Sequence, residues 1–415
     1  MDVARNGAHR AIESVARESY GRLIAFLSSR TRDVAGAEDA LSDALIAALT
    51  TWPRNGIPKN PQAWLLTAAR NRLTDHARHL QVRAQSAATL ELIAEDCFEA
   101  SEPDAMPDDR LKLLFVCAHP AIDPDMHTPL MLQTVLGLDA VEIGRAFLVS
   151  PQAMGQRLVR AKTKIRQAGI AFEIPAANQL IERLEAVLNA IYAAYGSSWE
   201  DATGADPRSQ GLAEEAIWLA RVLRDQMPDE PEVRGLLALM LHCEARRSAR
   251  RDETGRFVPL SEQDHRAWLA PMIAAAEEEL AAAGRQASQE HFKLGRFQLE
   301  AAIQSVHAER ARVGYTDWGV IGLFYDQLVQ LSPTLGAQVA RAAARGEVKG
   351  SAAGLALLDE IEPAAVVSYQ PYWAARAHLL QQLHRTQEAH EAFDRAIGLA
   401  EDPAVRQFLM GKRRE

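Results

Sequence analysis

Between Gln133 and Gln167 runs GLDAVEIGRAFLVSPQAMGQRLVRAKTKIRQ, which constrains the fold more than any other part of the chain. It reads as a short helix, a three-residue corner and a second helix loaded with positive charge. Ser150 can accept the first free N–H of that second helix, and Pro151 stands at the first helical position, where its missing N–H costs nothing. At about 100° per residue, Met154, Leu158, Ala161 and Ile165 share one narrow arc, so that face packs inward. Gln152, Ala153, Gln156, Arg160 and Lys164 point away from it, with Arg157 flanking them. A helix that enters a DNA groove needs this pattern: amide and guanidinium groups near its N-terminus for base edges, cations further along for phosphates. The plain alternative is a basic amphipathic helix of no special purpose. Against it, the five basic residues from Ser150 to Gln167 (Arg157, Arg160, Lys162, Lys164, Arg166) have no acidic neighbour in that span.

A net charge of −9 looks wrong for a DNA binder until it is divided along the chain. Positions 1–170 hold 20 basic and 20 acidic side chains, and the remainder holds 26 basic and 35 acidic. The excess negative charge therefore belongs to the C-terminal part, and any nucleic-acid role falls to the first 170 residues. At 415 residues, two or three domains are expected. No apolar run approaches a membrane span, and MDVARNGAHR lacks the apolar core of a signal peptide, so the expectation is a cytoplasmic protein that engages no membrane. Cys97, Cys117 and Cys243 lie far apart and match neither a disulfide framework nor a zinc spacing; they read as reduced and structural.

Nearly everything reads as helix. Ala, Leu, Glu, Arg and Gln dominate and no segment alternates with period two, so an all-α fold is expected. Four regions emerge. In residues 8–84, Val34, Ala37, Leu41, Leu45, Ala48 and Trp52 share one helical arc, with Glu38, Asp39, Ser42 and Asp43 on the other side. TWPRNGIPKNP then forms a rigid turn, Asn60-Pro61 opens a new helix, and Trp64, Leu65, Ala68, Ala69 and Leu73 give it a packing face. Arg70, Arg72, His76, Arg78, His79 and Arg83 follow as a positive stripe, which by itself merely suits a helix C-terminus. Residues 85–109 form an acidic linker: from Ser86 to Asp109 there are eight acids, two prolines and no lysine or arginine. Residues 110–174 hold the helix-turn-helix. Residues 175–415 read as a helical array whose PYWAARAHLLQQLHRTQEAHEAFDRAIGLAEDP is tetratricopeptide-like, with small Ala375, Ala389 and Ala396 where two helices touch, large Leu379, Leu383, Phe393 and Ile397 between them, and Pro403 beyond.

These pieces, in this order, resemble a sigma-70 class RNA polymerase sigma factor, and more narrowly the extracytoplasmic-function type with a long tetratricopeptide-like C-terminal extension. AEDALSDALIAALTTWPRNGIPKNPQAWLLTAARNRLTDHAR is similar to sigma region 2. DDRLKLLFVCAHPAI and the helix-turn-helix are similar to region 4, while LALMLHCEARRSAR, GRFVPLSEQD, GRFQLEAAIQSVHA and QPYWAARAHLL are similar to the extension. The resemblance implies partners and contacts. Core RNA polymerase would be engaged at the β′ clamp and the β flap, with Glu38, Asp39, Asp43 and Ile46 docking on the clamp and Trp52 left in the core. Asn60, Gln62, Arg70, Asn71, Asp75 and Arg78 would hold the melted proximal promoter element. Gln152, Ala153, Gln156, Arg157 and Arg160 would read the distal element, with Lys162, Lys164 and Arg166 on phosphates. The linker would lie in the RNA-exit path, where a polyanionic strip can occupy a basic channel. Such a factor performs no chemistry of its own and needs no cofactor or metal.

Rival readings start from other residues. His291, Glu300 and His307, or Asp264-His265 before Trp268, raise the thought of a metal or acid-base site, but HExxH, P-loop and nucleophile-elbow signatures are absent. A helix-turn-helix regulator with a tetratricopeptide-like sensor domain would have no use for the region 2 helices, and a scaffold would need no promoter contact. RRDETGRFVPLSEQD reads as a loop that makes an interdomain contact through Arg256, Phe257 and Asp264 or caps a repeat, the contact being favoured. The acidic extension suggests a module that folds against the sigma regions or recruits a protein regulator.

Overall fold

The computed structural model describes residues 2–84, 108–147, 149–200, 207–289 and 294–415. Among these the regular structure is helical, relieved by an isolated β-bridge between Arg251 and Phe257, so the fold is all-α as expected. Contacts divide the chain into two compact units: Met1–Ser198 with Gln210–Leu219, and Trp199–Ser209 with Ala220–Glu415.

In the first unit, α1 (Asp2–Thr31), α2 (Val34–Asn55) and α3 (Pro61–Ala84) pack together. Helix α2 starts where the Asp33 carboxylate accepts the Gly36 N–H at 3.0 Å, and α3 where Asn60 Oδ1 accepts the Ala63 N–H at 3.0 Å. Leu23, Ile24 and Leu27 from α1, Leu41 and Trp52 from α2, and Leu65 and Ala69 from α3 are buried. Trp52 meets the edge of half-buried Trp64 with ring centroids 5.6 Å apart. Of the anticipated arcs, Val34, Ala37, Leu41, Ala48 and Trp52 of α2 and Leu65 and Ala69 of α3 are buried, while Leu45, Trp64, Ala68 and Leu73 are half-buried.

The same unit continues with α4 (Arg110–Cys117), α5 (Pro124–Thr134), α6 (Ala140–Ala146) and α7 (Pro151–Gln167). Helix α4 is apolar nearly all round, and Leu111, Leu113, Leu114, Phe115, Val116 and Cys117 are all buried, as a helix at the centre of a unit must be. Burial in this environment pushes the Cys117 thiol up to about 12, which leaves it an inert core group. Helix α1 approaches α5 so closely that a Cβ on Gly21 would stand 1.8 Å from the Val135 carbonyl oxygen. The sequence-based division at residues 174/175 is corrected by what lies beyond it. Helix α8 (Ala177–Glu200) belongs to this unit, and its Arg183 donates to the Phe115 carbonyl at 3.3 Å. Residues 210–219 of α9 (Pro207–Gln226) belong here too: Arg110 of α4 stacks on the Trp218 ring at 4.3 Å and pairs with Glu215.

In the second unit, α10 (Pro231–Ala245), α11 (Ala270–Gln289), α12 (Arg296–Val313), α13 (Trp318–Leu331), α14 (Leu335–Lys349) and α15 (Ser351–Asp359) pack each on its neighbours. The chain then runs through α16 (Pro363–Val366), α17 (Gln370–Gln382), α18 (Thr386–Leu399) and α19 (Pro403–Lys412). Helices α17 and α18 form a tight pair in which Ala377, Ala389, Phe393 and Ala396 are buried, small side chains letting the backbones approach. Ala375 is only partly buried; Ala377 takes the close position instead. The loop from Arg251 to Trp268 lies against the far end of the array. Arg251 pairs with Asp402, Phe257 meets the edge of Phe408 at 5.5 Å, and Arg310 donates to the carbonyls of Ser261 and Gln263 at 2.9 and 3.0 Å.

Candidate nucleic-acid and polymerase interface

The helix pair α6–α7, expected as a helix-turn-helix, is built by two caps and one close approach. Asp139 accepts the N–H groups of Val141 and Glu142 at 2.8 Å each, while Glu142 accepts the Asp139 N–H at 2.9 Å, a reciprocal box that starts α6. At the corner, a Cβ on Gly144 would stand 2.7 Å from the Val149 carbonyl oxygen, so only glycine lets the chain turn here without displacing backbone. Ser150 Oγ then accepts the Ala153 N–H at 3.3 Å and α7 begins at Pro151, as the sequence indicates. Met154, Leu158, Ala161 and Ile165 are buried. Gln152, Gln156, Arg157, Arg160 and Lys164 are exposed, and Ala153 is half-buried beside them.

On α2, Asp39, Asp43 and Ile46 are exposed, and Asp43 lies 3.9 Å from Arg72 of α3. Leu49, which sequence reasoning passed over, adds a second exposed apolar side chain one turn beyond Ile46; the i, i+3 spacing was the available signal. Val159 is a similar omission, 61 % exposed on the outer side of α7 and of a type suited to a thymine methyl group. Around α3, Asn71 and Asp75 are exposed and Arg70 is half-buried. Two expected promoter contacts already serve the fold: Asn60 caps α3, and half-buried Gln62 donates to Ser19 Oγ. The Arg78 side chain and linker residues 85–107 lie outside the described residues.

Two expected contact residues are corrected outright. Glu38, expected on the outward face of α2, is buried, and so is Lys162, expected on DNA phosphate. Each is the other's partner: Lys162 Nζ donates to Glu38 Oε2, and to Gln133 Oε1 at 3.1 Å. Burial raises the Glu38 carboxyl above its ordinary value, an effect that the adjacent ammonium opposes. Arg166, one turn on, reaches Asp33 at 3.3 Å while staying exposed. At about 100° per residue, Glu38 sits only ~20° from Leu45 and Lys162 ~40° from Leu158, so both stand at the border of an apolar arc, whereas Asp39 lies ~120° from Leu45. Their charge was legible; their angle was not weighed.

Elsewhere the residues that raised other chemistry have structural partners. Glu300 pairs with Arg296 at 2.8 Å, and His307 meets the edge of Trp318 at 5.4 Å. His291 lies outside the described residues. Asp264 caps a short turn and pairs with Arg266 at 2.7 Å, and Arg256 pairs with Asp252 at 2.8 Å. Since Phe257 meets Phe408 of its own unit, the ring ties the array to itself in place of the expected interdomain contact. Among the described residues no helix is long and apolar enough to cross a membrane.

Comparison with known proteins agrees with this geometry. Residues 15–83, covering most of α1 to α3, match the Sigma-70 region 2 family, and residues 183–284 match a family of unknown function, DUF6596. RNA polymerase sigma factor CarQ of Myxococcus xanthus is 28% identical over 173 residues, 40% of this chain and 94% of that one. ECF RNA polymerase sigma factor SigC of Mycobacterium tuberculosis is 30% identical over 86 residues, 20% of this chain and 44% of its own length. No solved structure matches the chain. The first three helices thus carry a Sigma-70 region 2, and the chain is similar over part of its length to RNA polymerase sigma factors. Over nearly its full length the chain belongs with an uncharacterized protein of Rhizobium meliloti (strain 1021), 38% identical over 405 residues, 96% of this chain and 93% of the other.

Proposed function

We propose that the chain is an extracytoplasmic-function type sigma factor whose region 2 docks on the β′ clamp, whose region 4 sits at the β flap, and whose tetratricopeptide-like C-terminal half modulates initiation. What carries the reading is one chain holding both a capped basic recognition helix and an acidic, apolar outer face on α2. Asp39 and Asp43 would steer a basic partner, while Ile46 and Leu49 supply apolar area for it to cover. On α7, Gln152, Gln156, Arg157 and Arg160 suit base edges of the distal promoter element and Lys164 the phosphates; on α3, Arg70, Asn71 and Asp75 suit the melted proximal element. The packing of Arg183 on Phe115, and of Glu215 and Trp218 on Arg110, supports an extension that acts on region 4 directly.

The test is transcription by purified core polymerase on a library of randomised promoters. Promoter-specific initiation should require this chain, and Arg160→Ala should lower it about tenfold or more while relaxing the preference at one position. Initiation from the same promoters without the chain would overturn the reading.

A further inference from the structure

The outer side of α13, in the second unit, is uncovered. Its inner side packs through Trp318, Ile321, Tyr325 and Leu328 against its neighbours. Leu323 projects about 160° away from Ile321 on the helix, and it is 64% exposed. Two cavities flank this outer side. One, of about 430 Å³, is lined by Leu323 and Asp326 of α13 and by Ala344, Arg345 and Val348 of α14. The other, of about 340 Å³, is lined by Glu309, Arg312 and Val313 of α12 and by Tyr315, which is 63% exposed. Asp317 and Val320 border both cavities, so the two form one groove. We propose that this groove is the docking face for a second copy of the chain, with the two α13 helices antiparallel and crossing at Gly319.

The surface is complementary to itself in three ways. First, Tyr315 and Leu323 stand four residues before and four residues after Gly319. A two-fold axis at Gly319 therefore sets Tyr315 of each copy into the cavity beside Leu323 of the other, which is the isologous pattern of a symmetric dimer. Second, the rim charges match under the same exchange. Arg312 and Glu309, at the Tyr315 cavity, pair with one another, and Asp326 and Arg345, at the Leu323 cavity, pair at 2.8 Å. Once exchanged, Arg312 faces Asp326 of the second copy and Glu309 faces its Arg345, so charges alternate across a polar rim around the apolar centre. A nucleic acid or a strongly charged peptide would find no surplus of either sign there. Third, the crossing point is free of side chains. Gly319 is exposed, and a Cβ on Gly322 would meet no atom within 4 Å, so packing inside the chain does not require glycine at 322. Glycine in a helix costs about 1 kcal/mol against alanine, and a second backbone approaching closely is what requires it.

Sedimentation of the full chain at about 50 μM should show a monomer–dimer equilibrium. Leu323→Glu, a change at an exposed position that leaves the fold alone, should weaken dimerisation about tenfold or more. Cysteines report the register. With Cys97 replaced by serine, chains carrying Tyr315→Cys mixed with chains carrying Leu323→Cys should become disulfide-linked under mild oxidation. Neither variant alone should do so, because the antiparallel crossing holds like positions about 12 Å apart along the helix axis. Burial raises the thiols of Cys117 and Cys243 and keeps them out of the exchange. A chain that stays monomeric at this concentration overturns the dimer. So does a dimer that ignores Leu323→Glu, or one in which the mixed cysteines remain unlinked. Protection of Leu323→Cys from alkylation only when core polymerase is added would assign the groove to that partner and overturn the dimer equally. None of these readouts involves transcription, so the sigma-factor reading stands or falls separately.

Discussion

His242 and His307 show how far single side chains in the second unit depart from their ordinary chemistry. His242 is almost fully buried on α10, with Glu277 of α11 3.4 Å from Nε2 and Arg246 nearby; burial first, and then Arg246, lower its pKa to about 4. His307 on α12 is lowered to about 4 by burial and then by Arg246 and Arg310. In the unfolded chain each titrates near 6.5. Between the two values the unfolded state binds protons that the folded state refuses, so stability is full above about pH 6.5 and is lost as pH falls toward 4. Each imidazole should cost the second unit about 2 kcal/mol between pH 7 and 5. Thermal melts across that range check this: His242→Gln with His307→Gln should flatten the acid slope, and an unchanged slope would mean that other groups set it. Neither value was legible in the sequence, where both histidines sat on helices with no sign of which face they occupied. Glu38 and Lys162 taught the same lesson, since a charge near an apolar arc can face in or out, and only the opposing element decides.

At the scale of elements the chain was far more readable, because the signals there are local. Ser150 with Pro151, Asp139 with Glu142 and Asn60 with Pro61 each mark a helix start by satisfying N–H groups that have no partner within the helix. The arc of α7 followed from periodicity and was found buried as drawn, while those of α2 and α3 combine buried and half-buried side chains. Ser150→Ala should cost about 1 kcal/mol of first-unit stability without changing any side chain that faces outward. Chemical denaturation of the full chain, followed by a probe on α7, tests this; equal midpoints would show that the cap is redundant with Pro151. The loop between Arg251 and Trp268 was harder to read, for its aromatic partner Phe408 lies more than a hundred residues away and no local pattern connects them.

At the scale of the molecule, the unit boundary and the family boundary do not coincide. The first unit keeps α8 and residues 210–219 as part of its own body, through Arg183 on Phe115 and Trp218 on Arg110. Sequence division at 174/175 followed composition and missed this, since an amphipathic helix does not announce which neighbour it will cover. Ending the chain after residue 174 should therefore expose α4 and lower the melting temperature of the remaining portion by several degrees relative to one ending at residue 226. Differential scanning calorimetry of the two fragments decides; identical melts would mean that α8 and α9 contribute nothing to the first unit. The bond between Arg251 and Asp402, with Phe257 on Phe408 beside it, bears on how the second unit comes apart. A stack of helix pairs held only by nearest neighbours can fray one pair at a time from its free end. Here the last helix is clasped by a loop that follows α10, early in the unit, so its end cannot peel away until that clasp lets go.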